Sequence, residues 1–174
     1  MKKIYVLLMH TNTMPAKLIK MATNYPYSHV GISLEKDCNT IYSFGRKKFN
    51  SVLQAGFSIE SKHGKFFQKF NKTICKIYEI EITDNQYEDL ERIIADIIIN
   101  RNHYKYDFIG IVLRFFGIPV TFKNRYVCSY FVASLLEKAK IYHFKKRVSM
   151  VKPQDFEGLL GFQKIYAGRY ALYH

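Results

Sequence analysis

Ser28-His29-Val30-Gly31-Ile32-Ser33-Leu34, then Glu35-Lys36-Asp37-Cys38-Asn39, then Thr40-Ile41-Tyr42-Ser43-Phe44, is the stretch that decides the fold. In the first run Val30, Ile32 and Leu34 alternate with His29, Gly31 and Ser33, the two-residue period that sends successive side chains to opposite faces of a strand. The middle run is polar, and the third returns to residues that favour a pleated, half-buried surface. Two such runs joined by five polar residues predict an antiparallel hairpin over residues 28–44.

Upstream, Ile4-Tyr5-Val6-Leu7-Leu8-Met9 is a short apolar run that fits a buried strand. Thr13 as N-cap and Pro15 in the first turn predict a short helix ending near residue 23, before a turn at Asn24-Tyr25-Pro26. Downstream, residues 45–72 carry Gly45, Gly56 and Gly64 and predict a long irregular loop with short strands. Residues 74–82 alternate, with Ile74, Lys76 and Tyr78 against Cys75, Ile77 and Glu79, and predict a strand. Thr83 and Gln86 form a capping-box signature. Tyr87, Leu90, Ile93, Ile94, Ile97 and Ile98 then recur at three and four, the spacing of a helix packed on a core.

A further helical stretch is predicted over residues 106–116, stopped by Gly117-Ile118-Pro119. Residues 126–140 place Val127, Phe131, Val132, Leu135, Leu136 and Ala139 at helical spacing, with Cys128 at the first turn. A last strand is predicted over residues 162–172. Strands dominate the first half and helices mostly follow residue 83, which predicts an α+β fold with an antiparallel sheet packed against helices. No repeat or Gly/Ser/Pro-rich linker invites a cut, so residues 1–174 are expected to form a single domain.

The 174 residues include 14 Phe and 14 Tyr, and nearly half are apolar, which excludes intrinsic disorder. No window approaches the run of about 18 apolar residues that a transmembrane segment needs. Three cysteines are too few, and odd, for a disulfide scaffold. The formal net charge of +13 gives a field that attracts anions, so an anionic ligand is possible. The densest basic clusters, Arg46-Lys47-Lys48 and Lys145-Lys146-Arg147, are only three residues long and read as solvated surface. Met1-Lys2-Lys3 and the apolar run after it imitate a secretion signal. The run is short and no small-x-small cleavage site follows, so a cytoplasmic protein with reduced thiols is expected.

Cys128 is the side chain best placed for chemistry. A thiol at a helix N-terminus feels the positive end of the peptide dipoles, which favours the nucleophilic thiolate. Read from its position alone, a lone cysteine in an apolar helix is more often a small buried hydrophobe. Cys38 and Cys75 have no such setting. His29, on the face of its strand opposite Val30 and Ile32, is the natural proton acceptor. His10, His63, His103, His143 and His174 fall in loops, element ends or the tail. No Cys-x-x-Cys or His-x-x-x-His pair exists, so no metal and no cofactor is expected.

Tyr27-Ser28-His29-Val30-Gly31-Ile32-Ser33-Leu34 resembles the His-Val-Gly-Ile strand of the NlpC-type papain-like cysteine hydrolases. Tyr126-Val127-Cys128-Ser129-Tyr130-Phe131-Val132 is similar to their Cys-Ser-x-Phe-Val helix. In the standard members the cysteine comes first; here His29 precedes Cys128 by 99 residues. That order resembles the circularly permuted, YiiX/YaeF-like branch, as do Tyr106-Asp107-Phe108 and Lys152-Pro153-Gln154-Asp155-Phe156. The likeness spans residues 10 to 160.

The resemblance implies a permuted papain-like fold and a cysteine hydrolase or acyltransferase of amidase, peptidase or thioesterase type. Cys128 would attack a carbonyl carbon to form an acyl-thioester, with His29 as base and then acid. The Cys128 backbone N–H would help to hold the oxyanion. The family's third catalytic group lies on the return strand, where this sequence offers only Tyr42 or Ser43, and Ser43 is preferred. Tyr130 stands where the branch often has Glu, which implies a different substrate. Expected substrates are small acyl, peptide or lipid-like molecules. The alternatives are a basic protein binding nucleic acid or an anionic surface, or a papain-like domain that binds without catalysis. No RNP or recognition-helix motif is present, so a stable nucleic-acid partner is not expected.

Overall fold

In a computed structural model the protein is described over residues 1–11, 25–48 and 51–174. The fold is α+β. The strands are β1 (Lys2–His10), β2 (His29–Ser33), β3 (Thr40–Lys48), β4 (Ser51–Ser61), β5 (Ile74–Ile82), β6 (Lys105–Tyr106), β7 (Arg125–Tyr126) and β8 (Phe162–Arg169). The helices are α1 (Lys65–Lys69), α2 (Asp84–Ile99), α3 (Phe108–Phe115) and α4 (Cys128–Lys138). Six strands form one sheet in the order β4-β3-β2-β1-β5-β8, antiparallel at β1–β2, β2–β3 and β5–β8. β6 and β7 form a separate parallel pair. The helix expected to end near residue 23 lies outside the described residues.

The chain divides into two compact units, each assembled from three segments. One comprises Met1–Lys2, Ser43–Ser58 and Ile82–Lys152; the other comprises Lys3–Tyr42, Ile59–Glu81 and Pro153–His174.

In the second of these, β1 is buried from Ile4 to His10, as expected of its unbroken apolar run. β1 and β2 pair with Tyr5 opposite Ser33, Leu7 opposite Gly31 and Met9 opposite His29. Leu7 and Met9 join Ile41, Cys75, Ile77, Phe67 and Tyr170 in one apolar cluster. Phe67 meets the Tyr170 ring edge-on at 4.7 Å, and the Tyr170 hydroxyl donates to the Cys38 carbonyl at 2.6 Å. Gly31 belongs to this face: a Cβ there would lie 2.3 Å from Ile41 Cγ2 and 3.4 Å from Met9 Cε. Ile41 is stiff at χ1 and fully buried, so it cannot give way cheaply. We expect Gly31→Ala to destabilise the protein by about 1–3 kcal/mol through overpacking, read as a lowered denaturant midpoint.

β5 keeps the alternation its sequence suggests but is buried on both faces: Cys75 and Ile77 lie in the apolar cluster, and Tyr78, Ile80 and Ile82 are buried on the other side. The register against β8 shifts between Ile77 and Tyr78, where the extra residue, Ile165, belongs to β8. β8 also stops earlier than the 162–172 reading, and Tyr170–Leu172 form a single 3₁₀ turn.

The other unit is built on α2 and α4, which pack on each other. The Thr83–Gln86 capping box forms, and Leu90, Ile94 and Ile97 supply the buried stripe of α2. α4 buries Phe131, Val132, Leu135 and Leu136. The Phe131 ring lies 4.9 Å from Phe44 and 5.8 Å from Phe57. The expected irregular loop over 45–72 is instead strand and helix: β3 continues to Lys48, β4 runs from Ser51 to Ser61, and α1 follows. Gly45 and Gly56 sit inside strands rather than between them. β4 is an edge strand, which satisfies only one side and so tolerates Gly and Ser that a central strand would not.

Candidate active site

Cys128 is the first residue of α4, and seven per cent of its surface is exposed. Val127 occupies the N-cap with extended backbone and brings no side chain able to accept from the first-turn N–H groups, and no acidic residue lies in that turn. Of the three described helices of eight or more residues, α2 and α3 are capped by Thr83 and Asp107, and α4 alone starts without a side-chain cap. The positive end of its peptide dipoles is therefore left to whatever lies at Cys128. Ser129 is committed elsewhere: its buried hydroxyl donates to the Val151 carbonyl at 2.6 Å and ties α4 to the turn at Val148–Met150.

His29 opens β2 and is half-buried. Burial pushes its pKa down from 6.5 to about 4, so the imidazole is neutral at neutral pH and carries a basic nitrogen. The folded protein thus refuses a proton that the unfolded chain takes up near pH 6.5. The stability this contributes is complete above that pH and is lost as the pH falls towards 4. We expect the free energy of unfolding to drop by about 2–3 kcal/mol between neutrality and about pH 4.5, with most of the slope removed by His29→Gln. Glu79 is held low by Lys3; at Glu157, burial is outweighed by hydrogen bonds from Lys76 and Tyr25.

The two candidates on the return strand differ in face. Tyr42 is aligned with Ile32, and so shares the face of β2 opposite His29 and Gly31. Ser43, next along β3, alternates to the side of Ile41 and is fully buried; its carbonyl accepts from the Ser58 hydroxyl at 3.4 Å. His29 and Tyr42 belong to one compact unit, Cys128 and Ser43 to the other.

Cys38 and Cys75 are fully buried, and desolvation pushes each thiol up to about 12. Neither suits nucleophilic chemistry. A cavity of about 200 Å³ lined by Lys62, Phe67, Phe70 and Tyr170 contains none of the candidate residues. Among the described residues, no group of three or more His, Cys, Asp or Glu is placed to hold a metal ion.

A second polar constellation was legible only in part. Asp107, noted as part of Tyr106-Asp107-Phe108, caps α3 by accepting from the Gly110 N–H at 3.0 Å. Its other oxygen takes Arg114 Nη2 at 2.6 Å, and Nη2 also donates to the Val120 carbonyl at 3.1 Å. Asp107 is wholly buried and Arg114 nearly so, with its guanidinium carbon 5.5 Å from the centre of the Tyr130 ring. The signal was an acid and a base seven residues apart, two helical turns on one face. No protein-family model matches this chain, and no curated protein matches it.

Proposed function

We propose that this protein is a cysteine-dependent hydrolase or acyltransferase in which Cys128 is the nucleophile and His29 the general base. The observation that carries the reading is the start of α4, where a cysteine stands first in a rigid, buried helix whose N-terminus has no side-chain cap. The positive end of the helix dipole favours negative charge on sulfur and on a developing oxyanion. His29 rests in the unprotonated form that can accept the thiol proton, and the burial that keeps it so also makes it a weaker base than free imidazole.

The reaction runs in two halves. Sulfur attacks the carbonyl carbon of an amide, ester or thioester while its proton passes to His29. The tetrahedral intermediate collapses, its leaving group takes that proton from His29, and an acyl-thioester remains on Cys128. Water, or an acceptor amine or alcohol, then gives its proton to His29 as it attacks the thioester, and the thiol is restored. Ser43 is the preferred orienting group, because Tyr42 sits on the other face of the sheet from His29. A hydroxyl supplies no charge, which matches an imidazole that rests neutral. Substrates are expected among small acyl, peptide or lipid-like molecules.

Incubation with p-nitrophenyl acetate tests the reading. We expect one acetyl group per chain, mapped by peptide mass spectrometry to Cys128, absent from Cys128→Ala and retained by Cys75→Ala. Acetylation confined to lysines, or shared equally by all three cysteines, would overturn it.

A further inference from the structure

α3 is packed inside out. An amphipathic helix normally turns its apolar stripe to the core and its charged residues to water. Here Asp107, Gly110 and Arg114 are buried, whereas Ile109, Val112 and Phe116, at helical spacing on the opposite face, are 58%, 56% and 73% exposed. The buried ion pair holds this orientation. Arg114 reaches back to Asp107 and Val120, and a Cβ at Gly110 would lie 2.0 Å from Asp107 Oδ2, so the polar face fits closely where it is. Beyond the turn at Gly117 the apolar surface continues through the exposed Ile118 and Phe122.

Along this stretch of chain the charge has one sign. From Arg101 to Leu136 the only acidic residue is Asp107, which is buried and paired, while Lys105, Lys123 and Arg125 stand at the base of the excursion. The β6–β7 register sets Lys105 directly against Arg125. Like charges side by side are unfavourable in isolation, and a nearby anionic surface relieves the repulsion. Half-buried tyrosines complete the base: Tyr104 lies 6.1 Å and Tyr130 4.8 Å from the Tyr126 ring. Exposed aliphatic and phenylalanine side chains, a tyrosine belt and a basic collar are the successive layers of a membrane-interface anchor.

We propose that residues 105–125 dock the protein on an anionic phospholipid bilayer, with the Ile109–Val112–Phe116 stripe entering the headgroup boundary and Lys105, Lys123 and Arg125 meeting lipid phosphates. The attachment is monotopic: among the described residues no helix is long and apolar enough to cross a membrane. It is independent of the Cys128 chemistry.

The test is co-sedimentation of the whole protein with large unilamellar vesicles. On vesicles of phosphatidylglycerol and phosphatidylcholine in equal parts we expect most of the protein to pellet. Binding should weaken by roughly tenfold or more on pure phosphatidylcholine, at high salt, or in Lys105→Gln/Lys123→Gln. The Val112→Glu/Phe116→Glu variant changes only exposed side chains and should keep its thermal midpoint while losing the pellet. Wild-type protein that stays in the supernatant with anionic vesicles overturns the proposal, as does equal pelleting of this double variant. A wild-type dimer in sedimentation velocity, abolished by the double variant and unaffected by vesicles, would assign the surface to a second copy of the chain instead.

Discussion

Asp107→Ala is expected to destabilise the protein by about 3–5 kcal/mol, a large share of the stability of a domain this size. Three losses coincide. The Arg114 guanidinium loses its carboxylate partner at 2.6 Å while remaining almost wholly buried. α3 loses its N-cap at Gly110, ordinarily worth about 1 kcal/mol. A void opens where the side chain stood. The attraction between the ions is not what the substitution measures, because desolvation cancels much of it in any buried pair. What it measures is a cation left stranded, and this separates the variants. Asp107→Asn keeps an oxygen for the Gly110 N–H and should fall between wild type and alanine. Asp107→Leu combined with Arg114→Met removes both charges and should recover most of the loss. Urea titrations of the four proteins decide it, and an alanine variant within about 1 kcal/mol of wild type would mean that the pair does not hold α3 in place.

The parts of the fold that could be read in advance are those where one local rule acts alone. The 28–44 hairpin follows from alternation either side of a polar turn, and the start of α2 from a reciprocal cap between Thr83 and Gln86. α4 follows from apolar spacing that leaves Cys128 at its first turn. What could not be read depends on partners distant in the chain. The register shift between β5 and β8 exists only in their pairing, and nothing local to Ile77-Tyr78 announces it. β4 hides behind Gly56 and three serines because an edge strand does not need the apolar alternation that would reveal it. The spacing of residues 106–116 predicted a helix but not its outward face. The usual rule assumes that charge seeks water, and it fails when an acid and a base neutralise each other in the interior.

The candidate site divides in the same way. Cys128 and His29 stand out by residue type and position within their elements. The environment of each ring and thiol depends on burial that the sequence does not display. Cys38 shows this: it stands in a polar run between Asp37 and Asn39 yet is fully buried, in a left-handed backbone conformation at φ 52°. Glu157 shows it again. Nothing near it in sequence points to Lys76 at 2.8 Å or to the Tyr25 hydroxyl that donates to it.

The second large effect concerns the thiols. At neutral pH we expect a small alkylating reagent such as iodoacetamide to modify Cys128 at least a hundredfold faster than Cys38 or Cys75. Burial holds those two thiols up to about 12, so less than a thousandth of either is ionised, whereas Cys128 opens a helix whose N-terminus favours the anion. If His29 takes the Cys128 proton, His29→Gln should slow Cys128 by roughly a hundredfold, the usual weight of a positioned general base. The same substitution should leave the other two thiols unchanged.

The pH dependence of that rate puts the pairing of Cys128 with His29 to its most direct test. Alkylation of Cys128 would be followed by peptide-resolved mass spectrometry from pH 8 to pH 3.5 in the wild type and His29→Gln. Because the folded protein keeps the imidazole unprotonated down to about 4, the His29-dependent part of the rate should persist through pH 6.5 and vanish only near pH 4. Superimposable profiles in the two proteins would contradict the account, for they would show that Cys128 reacts without any help from the histidine.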